Sequence, residues 1–219
     1  MPNSLTALTS TICSRLSRPQ IVWATLGLSM TLVAGALAVL EDRPLPSAAA
    51  LTQLDEQPIT SLDAIFDSID LEEGRWDGIV IHHSGSTTGS PTSLDAQHRE
   101  MGFRGLGYHF VIGNGNGSTD GEIHVGYRWQ QQLAGAHTAG VNSDYYNRRT
   151  LGVCLVGDGE KRAFTASQLN ALTKLVDELQ ARTGVTDDRV MLHRDVAPRS
   201  GPGRLFPEQA FRARLAELH

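Results

Sequence analysis

The sequence predicts an α/β fold: a single domain with a central mixed β-sheet flanked by helices, preceded by an N-terminal transmembrane helix. Three observations carry this expectation. Short β-branched runs alternate with helix-patterned segments after about residue 60, one long segment has start and stop signals at both ends, and Ile21 to Leu40 is an uncharged apolar run.

At about 1.5 Å per residue, a helix over residues 21–40 matches a hydrocarbon core of roughly 30 Å. Arg15 and Arg18 precede it, and Glu41, Asp42 and Arg43 follow. The basic flank therefore predicts a cytoplasmic segment at 1–20 and export of the remainder, a single-pass protein of the inner or cytoplasmic membrane with its C-terminal domain in the periplasm or cell envelope. Cleavage of a signal peptide near Ala48, Ala49 and Ala50, releasing a secreted protein, is the alternative, although the apolar run exceeds the usual signal core. Residues 41–60 contain Pro44, Pro46, Pro58 and an alanine-rich patch, which reads as an extended linker. The folded domain is expected over 61–219.

Within it, Leu62, Ile65, Phe66 and Ile69 have helical spacing and predict a short helix over 61–69. Gly78 to His82 is a β-branched strand that delivers His82 and His83 at its C-terminal end. A helix over Thr92 to Met101 stops at Gly102, and a strand over Gly107 to Gly113 places Tyr108, Phe110 and Ile112 on one face. Turn residues from Asn114 to Gly121 then lead to a strand at 122–126, predicting a hairpin; no helix follows these glycines, which argues against a phosphate-binding loop. Leu151 to Val156 is a further strand. Thr165 and Gln168 form a capping box for a helix ending at Thr183 before Gly184, with Leu169, Leu172, Val176 and Leu179 as its apolar stripe. A short strand at 189–192 and a helix opened by Pro207 complete the domain.

The chain of 219 residues carries a formal net charge of −5, and its first 40 residues hold only two of the 19 Lys and Arg, so the exported part is acidic. Nucleic-acid binding, which calls for a basic excess, is excluded. Cys13 and Cys154 lie on opposite sides of the predicted membrane helix, so no intrachain disulfide is expected. Cys154, His98 and His109 read as packing residues.

Two histidines, His82 and His193, each follow a predicted strand and begin a loop. Imidazoles at strand ends can meet across a sheet and hold a borderline metal such as zinc. The strings Ile79-Val80-Ile81-His82-His83-Ser84, Gly107-Tyr108-His109-Phe110, Gly135-Ala136-His137-Thr138, Gly152-Val153-Cys154-Leu155-Val156-Gly157 and His193-Arg194-Asp195-Val196-Ala197-Pro198 occur in that order. Together they resemble the type-2 N-acetylmuramoyl-L-alanine amidases, the family of phage amidase lysozymes and peptidoglycan recognition proteins, over about residues 76–207.

The resemblance implies a zinc hydrolase that cuts the amide between N-acetylmuramic acid and L-alanine in peptidoglycan, with peptidoglycan or muropeptides as partners. It assigns His82 and His193 to the metal and Tyr108 to the reacting water or oxyanion. Arg199 takes the place of a basic residue beside the reaction. His83, His137 and Asn147 are assigned to substrate binding. One position departs from the pattern: Gly201 stands where active members carry a Cys or Asp ligand. Water or Asp195 is left to complete the site, and the alternative is a catalytically weak or inactive peptidoglycan-binding protein.

Overall fold

The computed structural model describes residues 62–67 and 69–218; the predicted membrane helix at 21–40, the segment before it and the linker at 41–60 lie outside the described residues. No described helix is long and apolar enough to cross a membrane.

A short helix, α1 (Asp63–Phe66), leads to β1 (Gly78–His83) and α2 (Pro91–Glu100). The hairpin β2 (Phe110–Ile112) and β3 (Ile123–Val125) is followed by α3 (Tyr127–Gln130) and α4 (Ser143–Arg149). Then come β4 (Thr150–Leu155), α5 (Ala166–Thr183), β5 (Val190–Leu192), α6 (His193–Val196) and α7 (Glu208–Ala216). The strands form one mixed sheet in the order β3-β2-β4-β1-β5, with the β2–β3 pair antiparallel and the other pairs parallel. The expected α/β architecture is therefore present, and strand order adds what the sequence pattern left open.

Alternation along the strands divides the sheet into two unlike faces. Ile79, Ile81, Phe110, Ile112, Leu151 and Val153 point into the main core, where α5 supplies Leu172, Leu175, Val176 and Leu179, and α7 adds Phe211 and Leu215. The opposite face holds a smaller apolar cluster of Leu94 from α2 with Leu106, Val111, Cys154 and Val156. His82 lies level with Cys154 in the β1–β4 register, so alternation turns both to this second face.

α5 begins where the capping box predicts: Thr165 Oγ1 accepts the Gln168 N–H at 3.0 Å, and Gln168 Oε1 accepts the Thr165 N–H at 3.3 Å. It ends at Gly184, which is left-handed with φ 74°. Ser90 caps α2 through the Ser93 N–H, with Pro91 opening the first turn.

Two expectations are corrected. Tyr108 does not share a face with Phe110 and Ile112; it packs on the smaller cluster. Regular pairing stops at Phe110 because the Gly152 N–H goes to the His109 ring, 3.0 Å from Nδ1, instead of to a backbone carbonyl, and the two-residue alternation ends with it. His193 does not begin a loop but opens α6, whose first turn is held by Asp195 accepting the Leu192 N–H at 2.9 Å.

Candidate active site

The site forms where β1 and β5 end. His82 is the penultimate residue of β1 and is fully buried, and His193 follows β5 directly. Their rings lie 4.2 Å apart between centroids, and Tyr108 closes on His82 at 5.2 Å. The sheet thus brings together three of the residues singled out in the sequence.

Behind His82 stands His137. Its Nδ1 is 3.0 Å from His82 Nε2, and its Nε2 is 3.2 Å from the Thr150 carbonyl oxygen. Both ring nitrogens are engaged within the protein, so His137 occupies a layer beneath the site rather than its open surface. Asn147 anchors the same segment: its Oδ1 accepts the backbone N–H groups of His137 at 2.8 Å and Thr138 at 2.9 Å, and its amide donates to the Thr138 carbonyl at 3.0 Å. His83 points away from His82, as strand alternation requires, and its Nδ1 accepts the Gly159 N–H at 3.0 Å. Arg199 is exposed on the loop after α6, where its charge is felt at His193.

His98 and His109 serve the structure. His98 Nδ1 accepts the Gly107 N–H at 2.8 Å, and the His109 ring bonds the Leu133 carbonyl as well as Gly152. Sequence reasoning did not reveal the Thr150 carbonyl or the glycines that make room for His137. A Cβ on Gly152 would stand 2.7 Å from His137 Cγ, and one on Gly135 would stand 2.3 Å from His137 Cδ2. Gly152, an exception inside a bulky strand, was the available signal.

Two buried imidazole nitrogens in this site have no partner, His82 Nδ1 and His193 Nε2. Unpartnered imidazole nitrogens on adjacent rings suit a borderline cation at two points. A third protein ligand is lacking: among the described residues no group of three or more His, Cys, Asp or Glu side chains is arranged to hold a metal. One carboxylate oxygen of Asp195, Oδ2, is engaged by the Leu192 N–H in the first turn of α6. At Gly201, a Cβ would lie 3.0 Å from His193 Nδ1, so a side chain there would enter the site beside that ring.

Burial keeps the imidazoles neutral. It lowers the His82 and His109 pKa values well below 6.5, with the neighbouring histidines adding to the effect. His137 is lowered to about 4 by burial, and His193 also to about 4, by burial and then by His83 and Arg199. Burial pushes the Tyr108 phenol well above its ordinary 10.0, so it remains a proton donor.

A pH prediction follows. The unfolded chain takes up protons near 6.5 while the native histidines resist them, so native stability is full above about 6.5 and falls as pH drops toward about 4. Asp77, held down by Arg149, and Asp158, held down by Lys161, add a second loss only below about 3.9. Thermal melts should show the midpoint declining already between pH 6.5 and 5; a midpoint flat to pH 4.5 would contradict the buried neutral state.

The model of the family described as N-acetylmuramoyl-L-alanine amidase matches residues 72–204, which take in both strand-end histidines and the Gly201 loop. The chain belongs to this amidase family. The Klebsiella phage KP32 endolysin is 36% identical over 111 residues, covering 48% of this chain and 64% of the endolysin. The chain thus spans slightly less than two-thirds of the phage relatives it matches. Peptidoglycan-recognition protein 2 of Holotrichia diomphalia is 29% identical over 139 residues, 58% of this chain and 67% of that protein. Among solved structures, the amidase endolysin LysCS from Clostridium intestinale matches with a TM-score of 0.57 and 26% identity, over 68% of this chain and 93% of that one. The amidase family thus includes relatives named for cutting and relatives named for recognition.

Proposed function

We propose that the protein is an N-acetylmuramoyl-L-alanine amidase that hydrolyses the amide between N-acetylmuramic acid and L-alanine in peptidoglycan. The observation that carries this reading is the pair of buried, unpartnered nitrogens, His82 Nδ1 and His193 Nε2, on rings 4.2 Å apart beside Tyr108. His82 and His193 are the residues that would hold zinc. Bound there, the ion supplies a polarised carbonyl and a more acidic water. Tyr108 packs on His82, and its phenol, raised by burial and then by the neighbouring Cys154, would donate a hydrogen bond to the developing oxyanion. Arg199, on the exposed loop after α6, contributes positive charge. The uncharged run at 21–40, with Arg15 and Arg18 before it, supports tethering to the inner or cytoplasmic membrane with the domain outside the cytoplasm.

Gly201 favours a second reading, in which the same site binds muropeptides without cutting them. Two imidazoles hold zinc more weakly than three ligands do.

The test is digestion of purified sacculi by the full-length protein, with and without chelator, beside His82→Ala and His193→Ala. The amidase reading expects release of soluble stem peptide that chelator suppresses, with a loss on the order of a hundredfold or more in either variant. Binding to sacculi without release supports the recognition reading instead.

A further inference from the structure

We infer that His137 is a positioning residue: together with the Thr150 carbonyl it fixes His82 as the Nε2–H tautomer and leaves the His82 Nδ1 lone pair bare. The Thr150 oxygen can only accept, so the His137 Nε2 facing it at 3.2 Å carries a proton. A neutral imidazole has one N–H, so His137 Nδ1 is an acceptor. The His82 Nε2, 3.0 Å away, must then donate to it, which uses the single proton of His82. The nitrogen left without a proton is Nδ1, the buried atom for which the protein provides no partner. A doubly protonated His137 would instead put a charge in the interior, where the residue is buried, and burial of an unpaired charge is far more costly than a neutral hydrogen bond.

The surroundings are shaped to hold this ring. Gly152 and Gly135 leave the space it fills, since a Cβ at either position would overlap it, and Asn147 clamps the backbone on both sides of the His137 peptide. The chain Thr150–His137–His82 therefore orients a group it does not replace. Its consequence for metal affinity rests on the amidase reading; the tautomer does not.

The experiment is long-range 15N–1H NMR of the metal-free full-length protein, which reports which nitrogen of His82 carries the proton, followed by Zn2+ titration. The unmodified protein should show His82 protonated at Nε2. His137→Leu should lose that preference and weaken Zn2+ binding by about 10- to 100-fold. His137→Gln, whose amide can donate to Thr150 and accept from His82, should restore most of both. A proton on His82 Nδ1 in the unmodified protein overturns the inference, as does a His137→Leu variant with unchanged tautomer. Should His137→Leu fail to fold, the unmodified protein and His137→Gln decide. Failure of the unmodified protein to bind Zn2+, with the tautomer as stated, overturns the zinc reading and leaves the positioning role in place.

Discussion

Gly201→Cys is expected to raise zinc affinity about a hundredfold. Four-ligand structural zinc sites are worth about 10–16 kcal/mol, or about 3 kcal/mol per ligand, and each 1.4 kcal/mol is a factor of ten. The substitution is compatible with the backbone, since Gly201 is not in the left-handed region. Its Cβ would lie 3.0 Å from His193 Nδ1 and 3.2 Å from His193 Cβ, so the imidazole must give by a few tenths of an ångström. The new side chain enters at the Nδ1 edge of His193, so thiolate and imidazole share an ion if the ring presents that edge to it. Competition with a chromophoric chelator measures the gain. Equal affinity in the two proteins would mean that the His193 ring cannot yield or that the two histidines do not share an ion.

Trp129→Ala should cost about 3–5 kcal/mol of stability, the largest single loss expected away from the site. The indole is fully buried, packs on Phe66 at 5.5 Å and Phe110 at 5.0 Å, and donates from Nε1 to the Ile65 carbonyl at 3.2 Å. Its removal opens a cavity against β2 and detaches α1 from the core. Urea unfolding should show a lower midpoint with an unchanged slope, and Trp129→Phe should lose less because it retains most of the ring contact. A shift below 1 kcal/mol would mean that α1 and α3 are not part of the cooperative unit.

The long elements were legible because their signals are local. β1 is a β-branched run and β4 a mostly apolar one, both buried along nearly their whole length, and α5 combines a capping box, an apolar stripe and a terminal glycine. α4 was not legible. None of its residues is buried, so no helical period is written in its sequence; it is held instead by Asn147 on the 137–138 backbone and by Arg149 on the distant Asp77. α3 and α6 have four residues each, too short for a period to show.

The site divides the same way. His82 and His193 could be found as polar residues ending apolar strands. The role of His137 depends on a backbone carbonyl and on space left by two glycines, which no pattern of side chains announces. Tyr108 was recognised as a site residue but placed on the wrong face, because the His109 ring interrupts the ladder one residue after it.

The most direct test of the amidase claim is the mass of the products formed from a defined muropeptide by the full-length protein supplied with zinc. The account predicts two species, an intact aminosugar retaining its lactyl acid and a peptide with a free L-alanine amino terminus, both absent when His82 is replaced by alanine. Recovery of uncut muropeptide under conditions where the protein binds it would contradict the account.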